Sequence, residues 1–468
     1  MGPTDRLAHY VARAKFEDFP REVVAKAKAC IQDAVGCALG AAQTELGRRY
    51  IESAKDSGGR GPCTVIGDGV RISCISAAQA NTDLTSLLDF DDMHWLTLAH
   101  PGCAVVCSAL AVVEMTGGSG RDLITAIIVG YEAGLRIGRA IRSVVSRPDG
   151  KQEVLSNPSY IALASAAAAS RALGLTAEQT SHAFGLAGNT PINRGQSHVH
   201  FGGINVHPYT DNKYDMGTYS LLGVHNSIRA RRLAGPRGML DADRYWTRCG
   251  ANTCNHAELT AGIGEEYRIL EIAFKPMSCG AVAGAPVTAV WQALGGARLH
   301  PDDIEEIRLI GIPRLECYEW ANMVEAQFST PCAVAMAVAG EQPGPRWFNS
   351  GRYRDPDIFA IANKVKFVED PAARALAVQR GQWPCTVEIR MRDGSVRTAR
   401  AEYEKGAPEN PFTEQDALQK FLLNSEDLLG RSSAAELWAH LGRLETIGAI
   451  SEVCGKLTQD TQLIGKAS

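Results

Sequence analysis

Residues 88–115 read LDFDDMHWLTLAHPGCAVVCSALAVVEM and join a strongly polar segment to a strongly apolar one. The apolar part, residues 103–115, is hydrophobic all round and is predicted to form a buried helix. It is too short to cross a bilayer. We therefore expect a fold built around this helix, with a polar cluster at its beginning.

Helical periodicity recurs throughout the first half of the chain. In residues 21–39, Val23, Ala27 and Ile31 follow a spacing typical of a helix. Small residues dominate residues 162–169, which allows helix axes to approach closely. Further helices are predicted over residues 75–88, 123–141, 160–173 and 219–233.

The pattern changes after residue 264. Strands are predicted at 267–274 and 304–312, and residues 386–403 are predicted to form a hairpin that turns at Asp393-Gly394. Helical patterns lie between and after these strands. They cover residues 280–294, 330–339, 414–429 and 434–457.

A chain of 468 residues is expected to form two domains. The predicted fold class is mostly α with a smaller α+β domain: a helical region at 1–264, an α+β domain at 265–405, and C-terminal helices at 406–468. Periodicity alone does not assign those last helices to a domain. Residues 143–158 and 189–212 are expected to be long loops.

The composition and charge of the chain argue against several classes of partner. The formal net charge is −4 with no basic stripe, which argues against nucleic acid and membrane surfaces as partners. The N-terminus has no apolar signal segment, so we expect a cytoplasmic protein. The thirteen cysteines lie partly in apolar helical stretches and are expected to be free thiols.

Common cofactor and nucleophile motifs are missing from the sequence. There is no Cys-x-x-Cys pair, no His-Glu-x-x-His, no nucleotide-binding glycine motif and no Gly-x-Ser-x-Gly. We therefore expect no bound metal or cofactor, and catalysis by side-chain acids and bases.

The densest polar cluster is Asp89-Phe90-Asp91-Asp92-Met93-His94, followed by His100 at the start of the buried helix. The partial positive charge of a helix N-terminus suits a bound carboxylate and keeps a neighbouring histidine neutral. His100 is thus a candidate general base. The alternative is that the aspartates cap helices and the histidines fill polar core positions.

Two lysines, Lys213 and Lys275, lie in later polar segments and are candidate anion-binding residues. Lys213 opens a predicted helix, where it either holds a substrate carboxylate or is an exposed lysine beside a capping residue. Lys275 lies where a predicted strand meets a helix, a place where backbone N–H groups form anion sites. Cys279 has no adjacent base in sequence, which favours a non-nucleophilic role. His198, His200 and His207 either form a metal set or are surface histidines of a loop that shapes specificity.

Taken in order, these segments resemble the MmgE/PrpD family, which includes 2-methylcitrate dehydratase, cis-aconitate decarboxylase and iminodisuccinate epimerase. The strongest element runs from Leu88-Asp89-Phe90-Asp91-Asp92 to His100-Pro101-Gly102. The resemblance implies a large helical domain completed by the C-terminal helices, an inserted α+β lid, a site at their junction, a homodimer and no cofactor.

The resemblance also implies residue roles. His100, oriented by Asp89 or Asp92, would move a proton on a carbon next to a carboxylate, while Lys213 and Lys275 would bind carboxylates. The catalytic residues are then expected to be His100, Asp89, Asp92 and Lys213, and the substrate-binding residues Lys275, His94, Met93, Ser278 and Cys279.

Three positions depart from the family pattern. Met93 replaces a threonine that family lyases often carry, Asn157 lies where a histidine is usual, and residues 280–286 lack a further histidine. A divergent substrate is therefore expected. The predicted function is a cofactor-independent dehydratase or decarboxylase of a small di- or tricarboxylic acid. The alternatives are an epimerase and a non-catalytic metabolite-binding relative, and retention of Asp89, His100, Lys213 and Lys275 argues against the latter.

Overall fold

The computed structural model describes residues 1–146, 150–155, 157–190, 215–241, 244–313 and 315–458. Over these ranges the fold is mostly α with a smaller α+β part, which confirms the predicted fold class. No helix in the described ranges is both long and apolar enough to span a membrane. All thirteen cysteines fall within these ranges, and all are free thiols.

The first part of the chain is helical, apart from two short antiparallel pairs, β1–β2 and β3–β4. Its strands are β1 (Cys63–Thr64), β2 (Arg71–Ile72), β3 (Ser143–Ser146) and β4 (Gln152–Leu155). Its helices are α1 (Pro3–Arg13), α2 (Arg21–Ala42), α3 (Glu45–Gly58), α4 (Cys74–Leu87), α5 (Pro101–Thr116), α6 (Gly120–Ala140), α7 (Ile161–Ala172), α8 (Ala177–Gly188), α9 (Gly217–Ala230) and α10 (Arg244–Arg248).

Helix α5 is the centre of this part. Every residue from Pro101 to Glu114 is buried, because the helix is apolar on all sides and has no face for solvent. Pro101 opens it at the first helical position, and Gly117 closes it in the left-handed conformation. Helices α2, α4, α6, α7 and α9 pack around it. The predicted helix at 103–115 is thus confirmed as the core of the fold.

The second part contains one four-stranded sheet with the order β6-β5-β7-β8. Strands β5 and β6 are parallel, and the other two pairings are antiparallel. The strands are β5 (Ile304–Gly311), β6 (Val365–Glu369), β7 (Cys385–Met391) and β8 (Val396–Ala401). The helices are α11 (Gly284–Leu294), α12 (Met323–Gln327), α13 (Thr330–Val338), α14 (Arg346–Asn349), α15 (Pro356–Ala362) and α16 (Pro371–Arg380).

The chain ends with α17 (Glu414–Leu429), α18 (Arg431–Leu441) and α19 (Ser451–Cys454). Helices α17 and α18 pack against α2 of the first part. This contact is what the predicted return of the C-terminal helices to the helical region requires, and the division into domains stays a prediction.

Three sequence predictions were wrong. Residues 267–274 do not form a strand: Arg268–Glu271 is a 3₁₀ helix, and the Glu132 carboxylate accepts the Ile269 N–H that a sheet would need. The helix predicted at 434–457 ends at Leu441, and only the short α19 follows. The loop predicted at 143–158 contains the β3–β4 hairpin.

The two connections between the helical part and the α+β part run side by side. The Phe274 N–H donates to the Gly406 carbonyl at 2.9 Å. A Cβ at position 406 would lie 2.0 Å from the Phe274 oxygen, so this close approach requires glycine. Just before it, Met93 and Ala273 exchange two backbone hydrogen bonds of 2.9 and 2.8 Å. These contacts fix the junction at which the polar loop lies.

Candidate active site

The polar loop of residues 88–100 connects α4 to α5. Asp89 lies just beyond the C-terminus of α4 and adopts φ 48°, a left-handed conformation that is uncommon for a residue other than glycine. Strained backbone of this kind clusters at functional sites. The Asp89 side chain is 1% exposed, so the loop places a carboxylate inside the protein and not on its surface.

Lys275 lies in the connection to the α+β part and binds Asp89 of this loop. Its Nζ lies 2.8 Å from Asp89 Oδ1 and donates to the Asp89 carbonyl at 2.9 Å and to the Cys279 carbonyl at 3.5 Å. The side chain is fully buried. In this conformation the Lys275 ammonium pairs with Asp89, and its binding of a substrate carboxylate stays a prediction.

Lys420 of α17 contacts the same loop, and no sequence pattern predicted this role. Its Nζ donates to the Phe90 carbonyl at 2.7 Å, lies 2.6 Å from Asp33 Oδ1 and sits 4.2 Å from the Phe90 ring centroid. Burial alone would lower the pKa of Lys420, but the Asp33 carboxylate raises it above its usual value. The lysine is thus a buried cation, and it anchors the loop backbone.

His100 lies at the last position before α5, with a side chain that is 20% exposed. Its Nδ1 is 2.6 Å from the Asp92 carbonyl oxygen. A carbonyl only accepts, so Nδ1 carries the hydrogen and donates. The other nitrogen, Nε2, lies 3.8 Å from Asp89 Oδ1. This arrangement fixes the tautomer and leaves Nε2 as the basic nitrogen.

Asp92 orients His100 through its main-chain carbonyl, while its carboxylate has other partners. Oδ1 accepts the Gly102 N–H at 3.0 Å, and Oδ2 accepts the Tyr131 hydroxyl at 2.7 Å. Burial raises the pKa of Asp92 to about 7. The expected anion site at the start of α5 is therefore already occupied at Gly102 by a carboxyl group of the protein itself. A Cβ at Gly102 would lie 2.4 Å from the Tyr131 oxygen, so only glycine fits there.

Asp91 adds a third carboxyl group to the site. It is 1% exposed, and neither of its oxygens has a hydrogen-bond partner among the described residues. A carboxylate oxygen of Asp91, a carboxylate oxygen of Asp89 and a ring nitrogen of His100 all lie within 4.8 Å of one another. These three atoms could serve together as ligands of a metal ion. A divalent cation bound there would lie beside the Lys275 ammonium that already pairs with Asp89.

Two residues predicted to bind substrate, His94 and Met93, have partners within the protein, and their contact with substrate stays a prediction. His94 is 1% exposed, and its Nδ1 and Nε2 lie 3.0 Å from Thr97 and 2.9 Å from Glu271. Burial lowers the pKa of His94. Both nitrogens are therefore engaged within the protein. Met93 is buried in a small cluster with Ala273 and contributes the backbone pairing described above.

Ser278 and Cys279 lie next to Lys275 in the chain and are both buried. The Ser278 hydroxyl has no hydrogen-bond partner among the described residues. Burial raises the pKa of the Cys279 thiol well above its usual value. A thiol that stays protonated is a poor nucleophile, which agrees with the non-nucleophilic role favoured by the sequence.

Glu404, at the end of the α+β part, is a site residue that the sequence did not indicate. Its Oε1 accepts the Trp95 indole N–H at 2.9 Å. Burial raises the pKa of Glu404 to about 8, although the Lys275 and Lys420 charges act in the opposite direction. The group is thus a neutral carboxylic acid at pH 7, packed close to both anchoring lysines.

Some predicted residues cannot be placed. Lys213, His198, His200 and His207 lie outside the described residues. Asn157, the position that departs from the family pattern, is buried and donates to the Cys249 carbonyl at 3.2 Å. Of the predicted catalytic set, the structure therefore brings together His100, Asp89 and Asp92.

Comparisons with known proteins identify the family of the chain. Residues 5–199 match the MmgE/PrpD N-terminal domain, and residues 278–444 match the MmgE/PrpD C-terminal domain. The cis-aconitate decarboxylase of Aspergillus terreus is 24% identical, covering 97% of this chain and 96% of the relative. Those of Mus musculus and Homo sapiens are 25% and 24% identical, covering 97% of this chain and 92% and 93% of their own lengths.

The matched domains span most of the chain and include the polar loop and Lys420, while Lys275 lies three residues before the second domain. The loop is the same segment that carried the strongest resemblance in the sequence. The relatives align over nearly their whole lengths, so the likeness is not confined to one domain. The chain belongs to the MmgE/PrpD family and is an enzyme of the lyase type.

Proposed function

We propose that the chain is a cofactor-independent decarboxylase of a small di- or tricarboxylic acid of the cis-aconitate type. The observation that carries this proposal is the state of His100, whose Nδ1–H is bound to the Asp92 carbonyl while Nε2 faces Asp89. Its second support is the name of the relatives, several of which are cis-aconitate decarboxylases.

His100 would move the proton. In decarboxylation, the bond between the substrate carbon and its carboxylate breaks, carbon dioxide leaves, and the electron pair stays on carbon. The His100 imidazolium then gives its Nε2 proton to that carbon, and the neutral ring takes up a proton again from solvent. A positioned acid or base of this kind contributes about a hundred- to ten-thousandfold in rate.

Asp89 would stabilise the protonated form of His100. Its Oδ1 lies 3.8 Å from Nε2, which is close enough to favour the imidazolium. Lys275 offsets the charge of Asp89 and keeps its carboxylate in place. Lys213 would bind a substrate carboxylate, as the family resemblance implies.

The test is proton NMR of the purified protein with a panel of di- and tricarboxylic acids, hydroxy acids and imino diacids in heavy water. We expect a decarboxylated product that carries one solvent deuteron. Water loss would identify a dehydratase, and α-proton exchange without a new product would identify an epimerase. Both results contradict decarboxylation.

Two variants separate the role of His100 from general damage. His100→Gln should lower turnover at least about a hundredfold. His225→Gln, at an exposed position of α9, is the matched control and should leave turnover unchanged. Full activity in His100→Gln would overturn the assignment, and silence of the wild-type chain across the panel would favour the non-catalytic alternative.

We also propose that the protein is cytoplasmic, and that it is a homodimer, as the family resemblance implies. Light scattering of the purified chain should give twice the monomer mass, and a monomer would contradict this. The dimer proposal is independent of the proposal for His100.

A further inference from the structure

A cavity lies behind the active site, where the two connections to the α+β part run side by side. Its volume is about 670 Å³. Small-molecule sites typically measure roughly 300–1,000 Å³. Its walls come from α2, α17 and α18 and from the connections at Phe274 and at residues 406–412. His100, Asp89 and Lys275 do not line it, so it is distinct from the active site described above.

Lys26 of α2 supplies an unpaired positive charge to this cavity. Its Nζ donates to the Ile272 carbonyl at 2.5 Å and lies 4.3 Å from the Phe274 ring centroid. Among the described residues, no carboxylate lies within ion-pair distance of Nζ. Burial lowers the pKa of Lys26, although Cys30, Asp92 and Asp33 act in the opposite direction.

The other charges of the cavity lining are already balanced. The paired groups are Lys420 with Asp33 at 2.6 Å and Lys28 with Glu445 at 2.8 Å. Arg443 and Glu414 are exposed at the rim and carry opposite charges, so they add no net charge to the lining. The opposite charges of an ion pair nearly cancel, so these pairs contribute little to the electric field in the cavity. Lys26 therefore determines that the cavity prefers an anionic ligand.

The remaining walls are mostly apolar and aromatic. Phe412, Phe421 and Trp438 line the cavity, and the rings of Phe421 and Trp438 pack with centroids 5.4 Å apart. Such walls bury flat apolar bodies well, while a few polar groups fix the orientation of a ligand. We propose that this cavity binds a small organic anion with a flat apolar body, whose charged group pairs with Lys26.

The probe for the test is 8-anilinonaphthalene-1-sulfonate, an aromatic anion whose fluorescence rises on burial. It is titrated into the purified full-length protein. We expect saturable binding at one site per chain. The measurement does not depend on turnover, so its outcome is separate from that of the proposed decarboxylase activity.

A pair of variants at Ala25 locates the probe. Ala25 is an exposed residue of α2 that lines the cavity, so substitutions there should not disturb folding. Ala25→Glu adds a negative charge at the mouth and should weaken binding about five- to tenfold. Ala25→Gln has nearly the same size without the charge and should bind within about twofold of the wild-type chain. Equal affinity in the two variants would overturn the proposal.

A second pair tests the partner of the anion. Lys26→Met removes the ammonium but keeps most of the side-chain volume, and it should weaken binding at least about tenfold. Lys366→Met removes an exposed lysine of β6 and is the control for net charge. If both variants bind the probe equally well, Lys26 does not recognise the anion.

Discussion

Replacing Lys420 by methionine should destabilise the protein far more than replacing an exposed lysine. The change removes the donor to the Phe90 carbonyl and leaves Asp33, which is 7% exposed, without its partner at 2.6 Å. Breaking one side of a buried ion pair costs about 3–5 kcal/mol. We expect a loss of this size in the free energy of unfolding at pH 8.

The loss should shrink at lower pH. Burial raises the pKa of Asp33, and Lys420 opposes this shift more strongly than Lys26 does, so its removal should raise the pKa further. A carboxyl group with a raised pKa in the folded state destabilises that state more as pH rises. The cost should therefore fall as the pH is lowered, by about 1.4 kcal/mol for each unit of pH over which Asp33 holds the proton only in the folded state.

The assay is urea unfolding at pH 5 and pH 8, together with turnover at pH 8. Lys405→Met is the matched control, since Lys405 pairs with Asp416 at 3.0 Å but is 32% exposed. It should cost less than about 1 kcal/mol. Because Lys420 anchors the catalytic loop, we expect turnover to fall about a hundredfold in Lys420→Met only. A loss in Lys420→Met no larger than in the control at pH 8, or a loss that does not shrink at pH 5, would refute the reasoning.

Three further predictions concern the groups around the loop. Asp89→Asn keeps a left-handed backbone that asparagine tolerates but removes the charge next to His100, so kcat should fall about a hundredfold; a kcat within threefold of the wild-type value would contradict its role. Cys279→Ala should leave kcat within about threefold, and a complete loss would instead identify the thiol as a nucleophile. Glu404→Gln should remove part of the pH dependence of stability: the pKa of Glu404 is about 8 in the folded state against 4.5 ordinarily, so between these values the wild-type chain loses about 1.4 kcal/mol per pH unit relative to the variant. Equal slopes for the two chains in urea unfolding between pH 5.5 and 7.5 would show that Glu404 does not hold this proton.

Helices were predictable because their burial follows a fixed period. The helix predicted at 414–429 has the bounds that the structure shows, and the helix predicted at 21–39 is only three residues longer. The strand predicted at 267–274 was wrong because alternation does not reveal which groups bind the backbone. There the deciding group is Glu132, which is 137 residues distant from Ile269 in sequence.

Only the local part of the site was predictable. His100, Asp89 and Asp92 lie within twelve residues of one another, so their proximity follows from the sequence. A lysine in an amphipathic helix usually lies on the surface, so nothing marked Lys420 as a buried anchor. Which group of Asp92 orients His100 depends on the path of the loop, and a sequence pattern does not specify that path.

The two lysines that anchor the loop come much later in the chain than the loop itself. Lys275 follows Asp89 by 186 residues, and Lys420 follows Phe90 by 330 residues. At a synthesis rate of about 5–20 residues per second, roughly 15 to 65 s pass between translation of Phe90 and of Lys420. A chain that is still on the ribosome therefore lacks part of its active site and is inactive until α17 emerges. We expect activity only after nearly the whole protein has been released.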